Sequence, residues 1–255
     1  MQKWDDYLNS DLEFEGPFNR DADGDYKLSA DEIAAKKEQE LLDYINKVPQ
    51  EPSEAADKGT CFNEVVDRLI LNTKEGREDV SIRSGRVNTK DGDELPVVFA
   101  DMDGFSFTFA LDLCLDLRNE LKGAIPQYHT EAVLPTKYGD VLLHGFIDYV
   151  LGDKVIDLKT TKMYSFPKYD KGFQKHVYPY CLIESGVMDG VSEFDYLIVK
   201  WRDLVNQPTS GDLYLEPYTY NHEQSTKHLR AVCERFIEWL DNNRDRITNK
   251  AIFCE

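Results

Sequence analysis

Residues 144–161 read HGFIDYVLGDKVIDLKTT, and the fold that we expect for this chain is built around this stretch. Two apolar runs flank turn residues at 151–154, a pattern that predicts a β-hairpin. On its second strand, apolar residues alternate with Asp157 and Lys159, so one face is apolar and the other is charged. Asp148 lies near the end of the first strand. The hairpin therefore brings two carboxylates and a lysine toward one edge of a sheet.

These residue types suit the hydrolysis of a phosphodiester. Asp148 and Asp157 offer hard oxygen ligands for Mg²⁺ or Mn²⁺, which activate water and neutralise charge on phosphate oxygens. Lys159 can orient or help to deprotonate the water, or hold the developing negative charge. Glu131, at the end of the preceding strand segment, is a candidate third acidic group. The alternative is a surface hairpin with solvated charges, because an Asp-x-Lys sequence often occurs by chance.

The rest of the chain predicts helices and strands around this hairpin. Period-two segments predict strands near 79–88, 95–101, 104–110, 127–135, 140–150, 154–159, 194–201 and 212–218. Helical spacing and capping signals predict helices near 29–47, from Thr60 onward, and near 111–122, 170–186 and 222–246. We expect a mixed α/β (α+β) fold in which helices flank a central mixed β-sheet. Residues 1–57 form an N-terminal helical arm, and residues 58–255 form the main domain.

The composition excludes several classes of protein. The 255 residues are 41% hydrophobic and include 30 basic and 48 acidic residues, giving a net charge of −18. This balance argues against a broad basic face that coats nucleic acid. The longest apolar stretches fall short of the roughly 18 residues that span a bilayer, and the N-terminus lacks a signal-peptide pattern. Five scattered cysteines without a C-x-x-C pair indicate no iron–sulfur cluster, structural zinc or disulfide framework, and fit a reducing cytoplasm.

Four motifs occur in order over about residues 59–180. They are GTCFNE at 59–64, GFID at 145–148, DLK at 157–159 and QKHVY at 174–178. Their order and spacing resemble the motifs of the PD-(D/E)xK nuclease superfamily, in the RecB-like exonuclease branch and of phage or prophage type. The resemblance implies a restriction-endonuclease-like core and a metal-dependent DNA exonuclease of recombination, replication or repair. It also implies linear DNA, single- or double-stranded, as the partner, together with a homo-oligomer or a recombination partner protein.

The resemblance also assigns roles to individual residues. The implied metal ligands are Asp148, Asp157, the Leu158 carbonyl, Glu131 and Asn63. The implied catalytic groups are Asp148, Asp157, Lys159 and Glu131. The implied substrate-positioning residues are Gln174 and Tyr178. Gln174 and Tyr178 are one helical turn apart, so both can reach one site, although ordinary helix packing is the alternative. Asn63 replaces a histidine of the family motif, which weakens ligation of a transition metal at this position.

Lysines and aromatic residues alternate after the catalytic strand. They are Lys162, Tyr164, Phe166, Lys168, Tyr169, Lys171 and Lys175. This pattern suits phosphate contact and base stacking on a single strand. A solvated connector whose aromatic rings pack on the core explains it equally well.

Residues 21–32 resemble the calcium-binding loop of an EF-hand. The implied ligands are Asp21, Asp23, Asp25, Lys27 through its carbonyl, and Glu32. Tyr26 occupies the position that is normally glycine, and no second such loop is present in the sequence. The alternative is an acidic turn in which Ser29 and Glu32 form a capping box.

Two other functions remain open at this stage. One is a non-catalytic protein, either a nuclease fold used for binding or a calcium-binding interaction protein. The other is a site-specific endonuclease, which an intact Asp148, Asp157 and Lys159 set would also serve.

Overall fold

The computed structural model describes residues 2–8, 10, 19, 26–88 and 93–253. The helices of these residues are α1 (Gln2–Leu8), α2 (Ala30–Ile45), α3 (Glu54–Leu71), α4 (Leu111–Glu120), α5 (Gln174–Glu184), α6 (His222–Asn242) and a short 3-10 helix (Lys250–Phe253). The strands are β1 (Ser81–Asn88), β2 (Glu94–Met102), β3 (Phe105–Ala110), β4 (Ile125–Thr136), β5 (Gly139–Leu151), β6 (Lys154–Thr161), β7 (Glu193–Arg202) and β8 (Ser210–Thr219). None of the described helices combines the length and apolar character needed to cross a membrane.

A five-stranded mixed sheet in the order β4-β5-β6-β7-β8 forms the centre of the molecule. Neighbouring strands are antiparallel except β6 and β7, which are parallel. Helix α5 connects these two strands, because a parallel pair requires a crossover connection. The predicted mixed α/β class, with a central mixed sheet flanked by helices, is confirmed. Strands β1, β2 and β3 form a second, antiparallel sheet that the sequence did not separate from the first.

The hairpin predicted from residues 144–161 consists of β5 and β6. Gly152 forms its turn with φ of 61°, a left-handed conformation that glycine adopts without steric cost. Only three residue pairs of the two strands are in register, ending at Tyr149 and Ile156. Beyond that pair β5 and β6 are no longer paired, while β6 continues alongside β7 through Thr161.

Helices cover both faces of the central sheet. On one face, Phe62 and Val66 of α3 pack with Tyr149 and Leu158, together with α4 and the small sheet. On the other face, α5 and α6 pack against β4, and further residues of α5 pack against β5 and β7. Helix α3 therefore lies on the face of β6 that carries Leu158, whereas Asp157 on the opposite face contacts Gln174 of α5.

The N-terminal segment shares its core with the rest of the chain. Trp4 of α1 and Leu41 of α2 belong to the same buried cluster as Leu229 of α6. Helix α3 begins at Glu54 rather than at the predicted Thr60, so the expected boundary after residue 57 falls inside a helix. Glu54 and Asp57 lie in the first turn of α3, where acidic side chains are favourable toward the helix dipole.

Candidate active site

The gap where β5 and β6 separate contains the two aspartates of the predicted site. Asp148 and Asp157 are the first residues beyond the last paired positions of the two strands. The Leu158 N–H donates to Asp148 Oδ2 over 2.8 Å, which ties the carboxylate across the gap. In an extended strand the N–H and C=O of one residue point to the same edge, so the Leu158 carbonyl faces this gap as well.

The backbone is distorted around Asp148. Ile147 packs in the cluster of α5, whereas Tyr149 packs in the cluster of α3, although residues two apart in a regular strand share a face. Gln127 of β4 lies between the residues paired with Ile147 and Tyr149 and has φ of 50°. A non-glycine residue with positive φ is uncommon and is often found at functional sites. The distortion leaves the Asp148 carboxylate at the strand edge.

Asp157 is contacted by Lys159 of its own motif and by Gln174 of the last motif. Its side chain is 1% exposed, and Asp157 Oδ2 lies 2.7 Å from the Lys159 Nζ. The Gln174 Nε2 donates to Asp157 Oδ1 and also lies 3.4 Å from the Tyr178 hydroxyl. The Gln174 side-chain amide therefore links Asp157 of β6 to Tyr178.

Gly145 explains how β5 and α5 approach each other. A Cβ atom at this position would lie 2.8 Å from the Cε1 of Tyr178, closer than side chains tolerate. The glycine therefore gives the Tyr178 ring its space against β5. Three of the four sequence motifs are thus in direct contact.

The electrostatics of the two aspartates are unfavourable in the absence of a cation. Burial raises the pKa of Asp148, and the neighbouring Asp157 charge raises it further, while the Leu158 N–H and Lys159 oppose this effect. Burial also raises the pKa of Asp157, against the opposing effect of Lys159. Two carboxylates that cannot both ionise easily form a site that favours a divalent cation.

A cavity of about 450 Å³ lies between helix α3 and Asp148. The cavity is lined by Thr60, Asn63, Glu64, Asp67, Arg77, Gln127, Phe146 and Asp148. The Oδ1 of Asn63 is buried and has no hydrogen-bond partner among the described residues. The first sequence motif therefore lies beside Asp148, and Asn63 brings a carbonyl oxygen that is available to a ligand.

Asp67 and Gln127 are site residues that the sequence did not reveal. Burial raises the pKa of Asp67 to about 6, while hydrogen bonds with Tyr149 and Gln127 lower it. Asp67 follows Asn63 by four residues, so helical spacing alone places both on one face of α3. No local pattern points to Gln127, because its position opposite Asp148 depends on the register of β4 against β5.

Glu64 also lines this cavity, but its carboxylate is hydrogen-bonded to neighbouring donors of the chain. Its Oε1 accepts hydrogen bonds from Arg68 Nε at 2.6 Å and from the Arg77 N–H at 3.0 Å. An arginine ion pair thus compensates its charge. Glu64 therefore differs from Asp148, whose described hydrogen bond comes from one backbone amide.

Glu131, the predicted third acidic group, does not lie in this cluster. It is exposed and pairs with His144, which is four residues from Asp148, or about 13 Å along β5. Glu131 was expected beside Asp148 and Asp157 because it lies at the end of the preceding predicted strand segment. The long antiparallel register of β4 and β5 instead brings Gln127 to that level.

Two aromatic residues of the lysine- and aromatic-rich segment after β6, Tyr164 and Tyr169, pack against the core. The Tyr164 hydroxyl donates to Glu216 over 2.9 Å, and the Tyr169 ring lies 5.1 Å from that of Tyr196. The Lys168 Nζ donates to the Thr161 hydroxyl and to a backbone carbonyl. These contacts favour the packed connector over a nucleic-acid platform, although Phe166 remains 69% exposed.

The EF-hand-like loop is described only at its C-terminal end. Asp21, Asp23 and Asp25 lie outside the described residues, so calcium binding by this loop stays a prediction. Glu32 accepts from the Ser29 N–H over 2.8 Å, and the Ser29 hydroxyl accepts from the Glu32 N–H over 3.2 Å. This is the predicted capping box at the start of α2.

The sequence matches no protein-family model and has no significant match among curated proteins. Within the described part of the chain, no group of three or more His, Cys, Asp and Glu residues forms a ready metal-ligand set. The chemical groups that the candidate site offers are therefore its two aspartates, the Leu158 carbonyl and Lys159.

Proposed function

We propose that this chain is a metal-dependent deoxyribonuclease, and that it degrades DNA from ends as an exonuclease. The observation that carries the proposal is the pair of aspartates at the β5–β6 gap, joined through Leu158 and accompanied by Lys159. Burial raises the pKa of both carboxyls, and the Asp157 charge raises the pKa of Asp148 further. This arrangement costs stability unless the chain binds a cation or uses the groups chemically.

The donor set fits Mg²⁺ or Mn²⁺. Asp148, Asp157 and the Leu158 carbonyl are hard oxygen donors, which these cations prefer. Asn63 adds a buried amide oxygen without a described partner. When bound, the cation would supply an activated water and neutralise charge on the phosphate.

The residues around the cation site have distinct roles in the proposed reaction. Lys159, held beside Asp157, can orient the attacking water or stabilise negative charge on the phosphate oxygens. Gln174 fixes the orientation of the Asp157 carboxylate, and Tyr178 fixes Gln174 in turn. These contacts hold the reacting groups in place before the substrate binds, which is how positioning contributes to rate.

The biological setting is proposed from the same motifs. A nuclease of this type acts in recombination, replication or repair of DNA in the cytoplasm. Its partners are linear DNA and either further copies of the chain or a recombination protein.

Cleavage of linear and closed circular DNA tests the proposal. End-labelled linear DNA should be degraded in Mg²⁺ or Mn²⁺ and stay intact in EDTA, while closed circles persist. Lys159→Ala should lower the rate at least about 100-fold, the scale expected for removing a group that stabilises transition-state charge. Lys154→Ala is the matched control, because Lys154 lies on the same strand but pairs with Glu193 at the far end.

The outcomes separate the alternatives. Cutting of closed circles would identify an endonuclease instead of an exonuclease. Equal activity of wild type and Lys159→Ala would exclude the proposed site, and absence of cleavage on every substrate would favour a binding protein.

A further inference from the structure

One face of the β4–β5 hairpin is exposed along its length. The exposed residues of this face include His129, Glu131, Val133, Leu142, His144 and Phe146. The register of the two strands sets them side by side, with His129 opposite Phe146 and Glu131 opposite His144. This face leads away from the gap that contains Asp148.

Phe146 is the residue of this face that lies at the proposed catalytic cavity. Its side chain is 58% exposed, yet it lines the same cavity as Asp148, Asp67 and Arg77. It precedes Asp148 by two residues, or about 7 Å along the strand. The His129 ring lies 5.0 Å from the Phe146 ring at an angle of 54°, so the phenyl ring has a lateral support.

We propose that Phe146, supported by His129, stacks on an unpaired base of the DNA strand next to the phosphate that a cation at Asp148 and Asp157 would bind. The inference rests on the proposed nuclease function and names its substrate as DNA that is single-stranded at the site. Base–aromatic stacking is tolerant of sequence, because every base has a π-face, and it requires a base that is not stacked within a duplex.

A nucleobase explains this face better than a second copy of the chain does. The cores of protein–protein interfaces are depleted in charged residues. On this face Glu131 and two histidines separate Phe146 from the exposed pair of Val133 and Leu142. The large exposed ring occurs instead where the face meets the cavity of Asp148.

Oligonucleotide binding tests the stacking directly. The chain carries Lys159→Ala so that cleavage is slow, Mg²⁺ is present, and fluorescence anisotropy reports the Kd. The two probes are a labelled thymidine oligonucleotide and an abasic deoxyribose phosphate oligomer of equal length. Adding Phe146→Ala should weaken thymidine binding at least about fivefold, which corresponds to 1 kcal/mol, and change abasic binding less than about twofold.

Two further variants isolate the ring from general apolar contact. Phe146→Trp should keep thymidine affinity within about twofold, because the larger ring still stacks. Leu142→Ala is the matched control, because Leu142 lies on the same face and strand, is 57% exposed, and is four residues from Phe146. It should leave both affinities within about twofold of the parent chain.

Each result decides the inference separately from the nuclease function. Equal losses on the two probes, or no loss, would overturn the stacking role even if the wild-type chain cleaves DNA. Base-dependent binding through Phe146 without wild-type cleavage would support the stacking surface and reject the nuclease. Conversion of a dimer to a monomer by Phe146→Ala, with thymidine affinity unchanged, would assign the face to a second copy and overturn the inference.

Discussion

Asp157 and Glu216 are two buried carboxylates in one row of the central sheet, and their surroundings are opposite. Asp157 pairs in register with Tyr196, which pairs with Glu216 on the next strand. Their exposed fractions are 1% and 0%. Both side chains are therefore excluded from solvent, and the groups that surround them differ.

Glu216 is fully satisfied by hydrogen-bond donors of the chain. It accepts from the hydroxyls of Tyr164 and Tyr218 and from the backbone N–H groups of Lys168 and Tyr169. Burial raises the pKa of Glu216, but these bonds outweigh it and leave the pKa below the ordinary value. The carboxylate thus fixes the segment after β6 and has a structural role.

Asp157 and its neighbour Asp148 have too few donors for two negative charges. Lys159 and the Gln174 amide contact Asp157, and one backbone amide contacts Asp148. The pKa values of both stay above the ordinary value, with burial as the main cause. A buried carboxylate whose charge is balanced by hydrogen-bond donors of the chain indicates a structural role. A pair of carboxylates with too few donors indicates a binding or catalytic site.

The largest effect should appear in activity when the uncompensated pair is changed. Asp148→Asn and Asp157→Asn remove the charge that would bind the cation, at nearly constant volume. Each should lower DNA cleavage at least about 100-fold, because cation binding and charge stabilisation supply several kcal/mol to the reaction. Initial rates on end-labelled linear DNA measure this, with circular dichroism as a control for folding. Near-wild-type rates in both variants would contradict the functional role assigned to Asp148 and Asp157.

The next largest effect should appear in stability when the compensated carboxylate is removed. Glu216→Ala leaves several buried donors without an acceptor and should lower the free energy of unfolding by about 3 kcal/mol. Asp148→Asn, measured in EDTA, should change it by less than about 1 kcal/mol or increase it, because a repulsion disappears. Urea unfolding of the two variants beside wild type measures both values. A greater loss for Asp148→Asn than for Glu216→Ala would contradict the assigned roles.

The two carboxylates should also give opposite pH dependence of stability. The raised pKa of Asp148 means that the folded state holds its proton more tightly than the unfolded state does. Its contribution is therefore fully present below about pH 4 and is lost as pH rises through the raised pKa. The lowered pKa of Glu216 gives a contribution that is present above about pH 4.3 and lost as pH falls through the folded value.

Unfolding free energies in EDTA between pH 3 and pH 8.5 check these signs. Asp148→Asn should flatten the decline of stability toward high pH, and Glu216→Gln should flatten the decline toward low pH. The same pH profile in the two variants would show that the carboxylates do not differ as described.

The smallest effect should come from Glu131, the predicted third acidic group, which the structure places away from Asp148. Glu131→Gln should leave the cleavage rate within about twofold of wild type, because its side chain is exposed and opposite His144. The same rate assay measures it. A loss comparable to that of Asp157→Asn would show that β4 takes another position in the active protein.

The contrast between Glu131 and Asp157 also shows what the sequence could predict. Alternation over residues 154–159 and helical spacing from 174 to 178 are local patterns, and they sufficed for the hairpin, for the face of Asp157 and Lys159, and for helix α5. The position of Glu131 was not predictable in this way, because it depends on the long register of β4 against β5. Gln127 and Glu216 were missed for the same reason, since each meets its partners only through pairing between distant strands.

Direct binding of Mn²⁺ tests the central claim that Asp148 and Asp157 form a cation site. Isothermal titration calorimetry uses a chain with Asp21→Ala, so that the 21–32 loop does not contribute to the measured binding. We expect Mn²⁺ to bind this chain, the binding to be lost on adding Asp148→Asn, and the binding to be retained on adding Glu131→Gln. An unchanged isotherm after Asp148→Asn, or none in the parent chain, would contradict this claim.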